Sequence, residues 1–192
     1  MKNNFRASWS VLNTWASGNW ERAIKGYFKL ENFTTPAMAE GKKYHQEWAD
    51  YIIKNNKLPD IFGGVEVKNP IVERKSKVKV NDWLDLVYII DEYDNETIRD
   101  WKTGKQGSNE YASSMQIPLY AVGATLDGLL VKKGEVYRYD QYLKKVDMSI
   151  LWVTDKVLED AHNWLITLAG DMQNYLLKNN LYERFSGSRK WD

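Results

Sequence analysis

The chain contains no cysteine, and this absence is the first constraint on its chemistry. Without cysteine there can be no disulfide and no thiolate nucleophile or ligand. Long apolar runs are also missing, and the opening Met1–Arg6 lacks the apolar stretch of a signal peptide. The sequence therefore predicts a cytoplasmic protein without a membrane segment.

The chain also lacks an excess of positively or negatively charged residues. The formal net charge is only +1, so a globally basic surface cannot supply affinity for nucleic acid, and any phosphate-binding patch must be local. One candidate patch is Arg74, Lys75, Lys77 and Lys79, although lysines on a solvated edge strand, where they discourage aggregation, are the preferred interpretation. Lys102 and Lys105 could form a second patch.

A glycine-rich phosphate loop of the nucleotide-hydrolase type is also absent, so no ATP-driven motor is encoded. What is present fits a compact enzyme, because 192 residues with 43% hydrophobic content suit one domain with a core. We expect a single domain over residues 1–185 and a flexible basic tail over 186–192. Strand-like and helix-like segments alternate, which predicts an α/β fold with a mixed central sheet flanked by helices.

Two acids lie in segments that are typical of strands. Alternate residues of a strand share a face, so Asp100 and Lys102 project together, and Asp85 is an isolated acid in the apolar run 83–90. The polar segment 91–96 between the runs predicts an antiparallel hairpin. We expect this hairpin to bring Asp85 close to Asp100.

Two converging carboxylates repel each other unless a cation or a proton lies between them. A hard divalent cation such as Mg²⁺ suits such a pair, and phosphodiester hydrolysis uses one to activate water and neutralise charge. Lys102 would add the remaining positive charge. An exposed hairpin with a solvated or ion-paired acid and lysine is the alternative for Asp-x-Lys alone.

Two helical segments could complete this site. Thr35 and Pro36 predict the start of a helix that carries His45 on its apolar face, and an imidazole ligand makes Mn²⁺ as plausible as Mg²⁺. Taken alone, His45 is more typical of a core residue. Gln116 and Tyr120 are one turn apart in a segment interrupted by Pro118, and they are either a surface pair or groups that contact the lysine, a water or a phosphate.

The order of these motifs resembles the RecB-like branch of the PD-(D/E)XK nuclease superfamily. The resemblance spans most of the chain and includes a Ser-x-Ser-x-Leu opening, a histidine motif, the first aspartate, an Asp-x-Lys-Thr-Gly motif and a closing Gln-x-x-x-Tyr motif. These correspond to Ser8–Leu12, Gly41–His45, Asp85, Asp100–Gly104 and Gln116–Tyr120.

The resemblance implies a restriction-endonuclease-like core and a role for each matching residue. His45, Asp85, Asp100 and the backbone carbonyl of Trp101 would bind the metal, and Lys102 would be catalytic. Gln116 and Tyr120 would support the lysine or the scissile strand. Glu73 or Glu66 could match a further acid of the family.

The chain departs from the family at two points. The iron–sulfur cluster of many relatives cannot form without cysteine. The glycine that precedes the first aspartate is not evident, because Asn81–Leu84 occupies that position.

By this resemblance, we expect a Mg²⁺- or Mn²⁺-dependent deoxyribonuclease. The preferred activity is that of an exonuclease on single-stranded or end-exposed DNA. It would act in recombination, repair or phage DNA metabolism, with a helicase or a recombination protein as a partner. One alternative is a non-catalytic DNA-binding subunit that has kept the fold. Another is a glycosidase with a carboxylate pair and a tryptophan platform, which Lys102 beside Asp100 disfavours.

Overall fold

The computed structural model describes residues 4–31, 34–104 and 107–185, so Lys105 and the expected tail 186–192 lie outside the described residues. In chain order, the strands are β1 (Phe5–Ser8), β2 (Ile71–Lys79), β3 (Leu84–Asp94), β4 (Thr97–Lys102), β5 (Lys133–Asp140) and β6 (Lys145–Trp152). The α-helices are α1 (Trp9–Ala16), α2 (Trp20–Phe28), α3 (Pro36–Asn55), α4 (Ser108–Ala112), α5 (Gln116–Leu126), α6 (Asp155–Lys178) and α7 (Leu181–Arg184), and a 3-10 turn covers Asp60–Phe62. The predicted mixed α/β architecture is confirmed.

Strand β3 organises the sheet because it pairs with three other strands. Antiparallel β2 runs along one edge of β3 for most of its length. The other edge is shared, with parallel β1 beside Leu84–Val87 and antiparallel β4 beside Glu92–Asp94. The C-terminal ends of β1 and β4 therefore approach the middle of β3 from opposite directions and leave a fork there. Beyond β4, the sheet continues through β5 and β6.

Two apolar cores cover the two faces of this sheet. The larger one packs helices α1, α2, α5 and α6 against β3 residues that include Leu84, Leu86, Tyr88 and Ile90. The smaller one packs α3 and the 3-10 turn, through Trp48 and Phe62, against Trp101 and Tyr137. Helices lie on both faces, so a side chain at the fork can be reached from α3 on one side and α5 on the other.

The alternation of β3 changes at Asp91. From Leu84 to Ile90 the even-numbered side chains face the larger core, yet Glu92 lies with Arg99 and Glu135 on the opposite face. In β2, Glu73 falls between the paired residues Val72–Glu92 and Arg74–Ile90 and has a left-handed φ of 49°. Such irregularities re-aim side chains and often lie next to functional sites. Here the change turns Glu92 away from the larger core and toward Arg99.

Candidate metal and phosphodiester site

Helix α3 delivers His45 to the fork. The Thr35 hydroxyl accepts a hydrogen bond from the Met38 amide at 3.2 Å, and Pro36 occupies the first turn, so the predicted helix start is confirmed. One turn before His45, Gly41 approaches the loop after β4 so closely that an added Cβ would lie 2.6 Å from Thr103 Oγ1. Glycine at position 41 therefore sets the distance between the histidine helix and the end of β4.

The β3–β4 hairpin brings Asp91, rather than Asp85, to Asp100. Its turn is only Asn95-Glu96, both with left-handed φ, 46° and 63°, as in the two-residue turns that fit the twist of a hairpin. Glu92 pairs with Arg99, so the next step of the register sets Asp91 opposite Asp100. The expected proximity of Asp85 and Asp100 is wrong because the polar segment 91–94 continues the strand instead of forming the loop.

Asp85 lies at the other end of β3. It is opposite Lys79 in β2 and Arg6 in β1, and its Oδ1 accepts a hydrogen bond from Asn4 Nδ2 at 3.2 Å. Six residues separate it from Asp91, about 20 Å along an extended strand. The structure therefore keeps Asp85 out of the site that it was predicted to form.

The carboxylate of Asp91 contacts both helix α3 and strand β4. Its Oδ1 lies 3.5 Å from Nδ1 of His45, and its Oδ2 accepts a hydrogen bond from the Trp101 amide at 2.7 Å. The N–H and C=O of one strand residue point toward the same neighbouring strand, so the Trp101 carbonyl is also directed toward this edge of β3. Its indole is fully buried in the smaller core and holds this part of β4 in place.

Asp100 is enclosed by Lys102 and by helix α5. Lys102 Nζ lies 2.8 Å from Asp100 Oδ1 and 2.7 Å from Oδ2, and Gln116 Nε2 donates to Oδ1 at 3.2 Å. Gln116 Nε2 also lies 3.0 Å from the hydroxyl of Tyr120, so the predicted helical pair does contact the Asp-x-Lys motif. Pro118 does not interrupt the helix, because α5 begins only at Gln116 and the proline falls in its first turn.

Burial alters the protonation of the site. Desolvation raises the pKa of Asp100 to about 6, although Lys102 opposes the rise. Burial alone would lower the pKa of Lys102, but the carboxylates of Asp100 and Asp91 outweigh it and raise that pKa. For His45, burial again acts downward, and the hydrogen bond and charge of Asp91 produce a net raised pKa. The ammonium of Lys102 therefore remains charged beside two acids.

These groups line a cleft of about 420 Å³. Besides His45, Asp91, Asp100 and Lys102, its wall includes Glu73. The other candidate acid, Glu66, pairs through its backbone with Lys57 in an isolated antiparallel β-bridge, and it does not line the cleft. Of the two, only Glu73 is placed to contribute a third carboxylate.

The donor set fits a hard or borderline divalent cation. Asp91 and Asp100 supply carboxylate oxygens, His45 an imidazole and Trp101 a carbonyl, which is a combination that Mg²⁺ or Mn²⁺ accepts. Within residues 4–31, 34–104 and 107–185, no three acids or histidines are yet close enough to form a ready coordination shell. Asp100 Oδ2 is nevertheless buried and, apart from its ion pair with Lys102, receives no directed hydrogen bond. A cation could satisfy this oxygen.

A buried network of charged side chains lies beside the site and was not predicted from the sequence. Arg99 lies between Glu92 and Glu135, and the hydroxyl of Tyr137 donates to the same oxygen of Glu135 at 3.0 Å. Burial raises the pKa of Glu92 to about 7, against the opposing effect of Arg99. Arg99 adjoins Asp100 in sequence, so the network anchors the strand that carries the site. Recognising the two-residue turn at Asn95 would have revealed both this pairing and Asp91.

Solved structures with the same overall fold include exonucleases. An alkaline exonuclease (LHK-Exo) from Laribacter hongkongensis matches with a TM-score of 0.57 at 9% identity, covering 93% of this chain and 94% of that one. LHK-Exo in complex with dAMP matches with a TM-score of 0.53 at 9% identity, over 94% and 93% of the two chains. A phage-related exonuclease from Haemophilus somnus 129PT has a TM-score of 0.50 at 12% identity, over 85% and 83%. At these identities, the likeness establishes a shared fold.

No family model and no curated protein matches the sequence. Among the helices of the described ranges, none is both long enough and apolar enough to cross a membrane.

Proposed function

We propose that this protein is a metal-dependent DNA nuclease, with Asp91, Asp100, Lys102 and His45 as its central residues. The convergence of these four side chains in one cleft at the fork of the sheet carries the proposal. The exonuclease structures that share the fold support it, because they show that this architecture hosts phosphodiester cleavage.

Each group has a role that follows from its position. Asp91, Asp100, His45 and the Trp101 carbonyl would hold the cation, with Glu73 available for a second one or for a bound water. When bound, a divalent cation supplies a Lewis acid that acidifies water and neutralises charge on the phosphate. Lys102, held charged beside Asp100, would stabilise the negative charge that develops on the phosphate oxygens. Gln116 and Tyr120 would orient Asp100 from α5.

The preferred substrate is single-stranded or end-exposed DNA, and the preferred reaction is exonucleolytic. The same fold in an alkaline exonuclease and in a phage-related exonuclease supports this choice. We also propose, on the family resemblance alone, a role in recombination, repair or phage DNA metabolism, with a helicase or a recombination protein as partner.

The test is cleavage of end-labelled linear DNA and of closed-circular DNA in Mg²⁺, in Mn²⁺ and in EDTA. We expect metal-dependent degradation of linear substrates only, with closed circles intact. Asp100→Asn and Lys102→Ala should abolish it, because they remove an expected ligand and the positive charge. Binding without turnover by the unchanged protein in either metal would support the DNA-binding subunit instead.

A further inference from the structure

A second concave surface, the basic groove, adjoins the cleft at Ile89. It has a volume of about 570 Å³, and four cationic residues from three separate elements line it: Arg6 of β1, Lys29 at the end of α2, and Lys75 and Lys77 of β2. Hydroxyls of Ser8 and Ser10 also line it. Its composition suits a negatively charged ligand with hydrogen-bond acceptors.

The basic groove and the cleft are neighbours that share one lining residue. Ile89 lines both, and its side chain is 46% exposed on the floor between them. In the β2–β3 ladder, Lys75 is opposite Ile89 and Lys77 is opposite Val87, whereas Glu73 and Asp91 fall between the pairs Val72–Glu92 and Arg74–Ile90. Successive same-face pairs are about 7 Å apart along a strand, comparable to the spacing of successive phosphates in an extended nucleic-acid strand. Lys75 and Lys77 therefore stand one and two steps from the acid of the cleft.

Lys75 and Lys77 are not neutralised by the wall of the basic groove. None of the described residues that line it is acidic. On the same strand, Arg74 pairs with Asp127 at 2.5 Å and Lys79 with Asp82 at 2.8 Å, both outside the groove. In the described part of the chain, no salt bridge involves Lys75 or Lys77. In a chain with a net charge of only +1, this is a local concentration of positive charge.

Protection of an edge strand from aggregation would explain lysines on β2 alone. It does not explain why cations of β1 and of the end of α2 join them around one concavity that adjoins the cleft. The geometry favours a ligand that extends from one surface into the other.

We propose that the basic groove binds the sugar–phosphate backbone of the substrate strand on one side of the scissile phosphate. This inference rests on the proposed nuclease function and adds the path of the strand. Lys75 and Lys77 contact the phosphates one and two nucleotides from the cleft, and Ile89 contacts the sugar or base between them. The contacts are to the backbone, so they carry affinity without base specificity.

The experiment measures binding in EDTA, where cleavage does not interfere, using the fluorescence anisotropy of labelled single-stranded DNA and single-stranded RNA over a range of salt concentrations. Lys75→Ala/Lys77→Ala is compared with the matched double variant Lys54→Ala/Lys178→Ala, which removes two exposed lysines that do not line the groove or the cleft. Each phosphate contact contributes about 0.7 to the slope of log K against log salt for a single strand. We expect the groove variant to reduce the slope by about 1.4 and the control to leave it unchanged.

Lys75→Arg/Lys77→Arg retains both charges and should retain the slope. Equal losses on DNA and RNA support backbone recognition. An unchanged slope in the alanine groove variant, an equal drop in the control, or no binding by the unchanged protein would overturn the proposal. The nuclease function is judged separately by the cleavage assay, so binding through the groove without cleavage contradicts only the nuclease.

Discussion

At the scale of single residues, the site depends on which acid faces Asp100. Asp85 and Asp91 both belong to β3 and carry the same side chain. Only Asp91 contacts His45 and the Trp101 amide, whereas Asp85 contacts Asn4. The two aspartates are therefore a matched pair in which position alone decides the role.

We predict that Asp91→Asn will lower DNA cleavage by at least about 100-fold, as expected for a lost metal ligand. Asp85→Asn should stay within about twofold of the unchanged protein. Initial rates on linear DNA in Mg²⁺ and Mn²⁺ measure this, with circular dichroism as the control for folding. Greater loss from the Asp85 variant would restore the assignment suggested by the family resemblance.

Glu92 gives a prediction about pH and stability. Its pKa is about 7 in the folded protein, compared with 4.5 for the unperturbed group, so the folded state retains a proton that the unfolded state releases. Glu92 therefore lowers the free energy of unfolding as pH rises from about 4.5 to about 7, by up to about 3 kcal/mol. Above pH 7 its effect is constant.

Urea unfolding of the unchanged protein and of Glu92→Gln, at several pH values between 4 and 8, isolates this effect because other acids contribute to both. The stability difference, unchanged minus variant, should fall across that window. A flat difference would mean that Arg99 keeps the carboxylate ionised throughout.

At the scale of elements, the β3–β4 turn sets the register that assembles the site. Asn95 tolerates a left-handed φ well, but Glu96, at φ 63°, does not have the glycine that this position favours. The exposed ion pair between Glu96 and Lys132 compensates little, because such pairs contribute about 0–1 kcal/mol.

Glu96→Gly should therefore raise the free energy of unfolding by about 0.5–1 kcal/mol and leave cleavage unchanged. As the matched substitution, Glu159→Gly in the interior of α6 should lower it by about 1 kcal/mol. Chemical denaturation measures both. Destabilisation by both changes would argue against the two-residue turn.

At the scale of the whole molecule, the two apolar cores share strands β4 and β5. The larger core contains Ile98 of β4 and Val136 of β5, and the smaller one contains Trp101 and Tyr137 of the same two strands. Loss of one core removes the support of the other. We therefore expect residues 4–185 to behave as one domain.

This predicts a single cooperative urea transition, with far-UV circular dichroism and tryptophan fluorescence coinciding. Trp48→Phe, in the smaller core, should shift the midpoint of both signals equally. Two separate transitions, or a shift in fluorescence alone, would show that the α3 side unfolds independently.

Much of the site was predictable because its motifs are local. Asp100 and Lys102 share a face by strand geometry, Gln116 and Tyr120 meet by helical spacing, and Thr35 with Pro36 marks the helix of His45. Asp91 was missed because the polar segment 91–96 favours a loop by composition, whereas 91–94 continues β3 and the turn is only Asn95-Glu96. Lys75 and Lys77 were candidates for a phosphate-binding patch, but the groove that they form with Arg6 and Lys29 was missed, since its cations come from β1, α2 and β2.

The sequence alone determined the α/β class, the absence of thiol chemistry and two local pairs of site residues, Asp100 with Lys102 and Gln116 with Tyr120, because composition and short-range periodicity depend only on neighbours along the chain. The tertiary structure decided which acid enters the site and which lysines face a groove. A strand has a period of two residues, so a change of turn length or one irregular residue redirects every side chain beyond it, and only the packed sheet fixes that register.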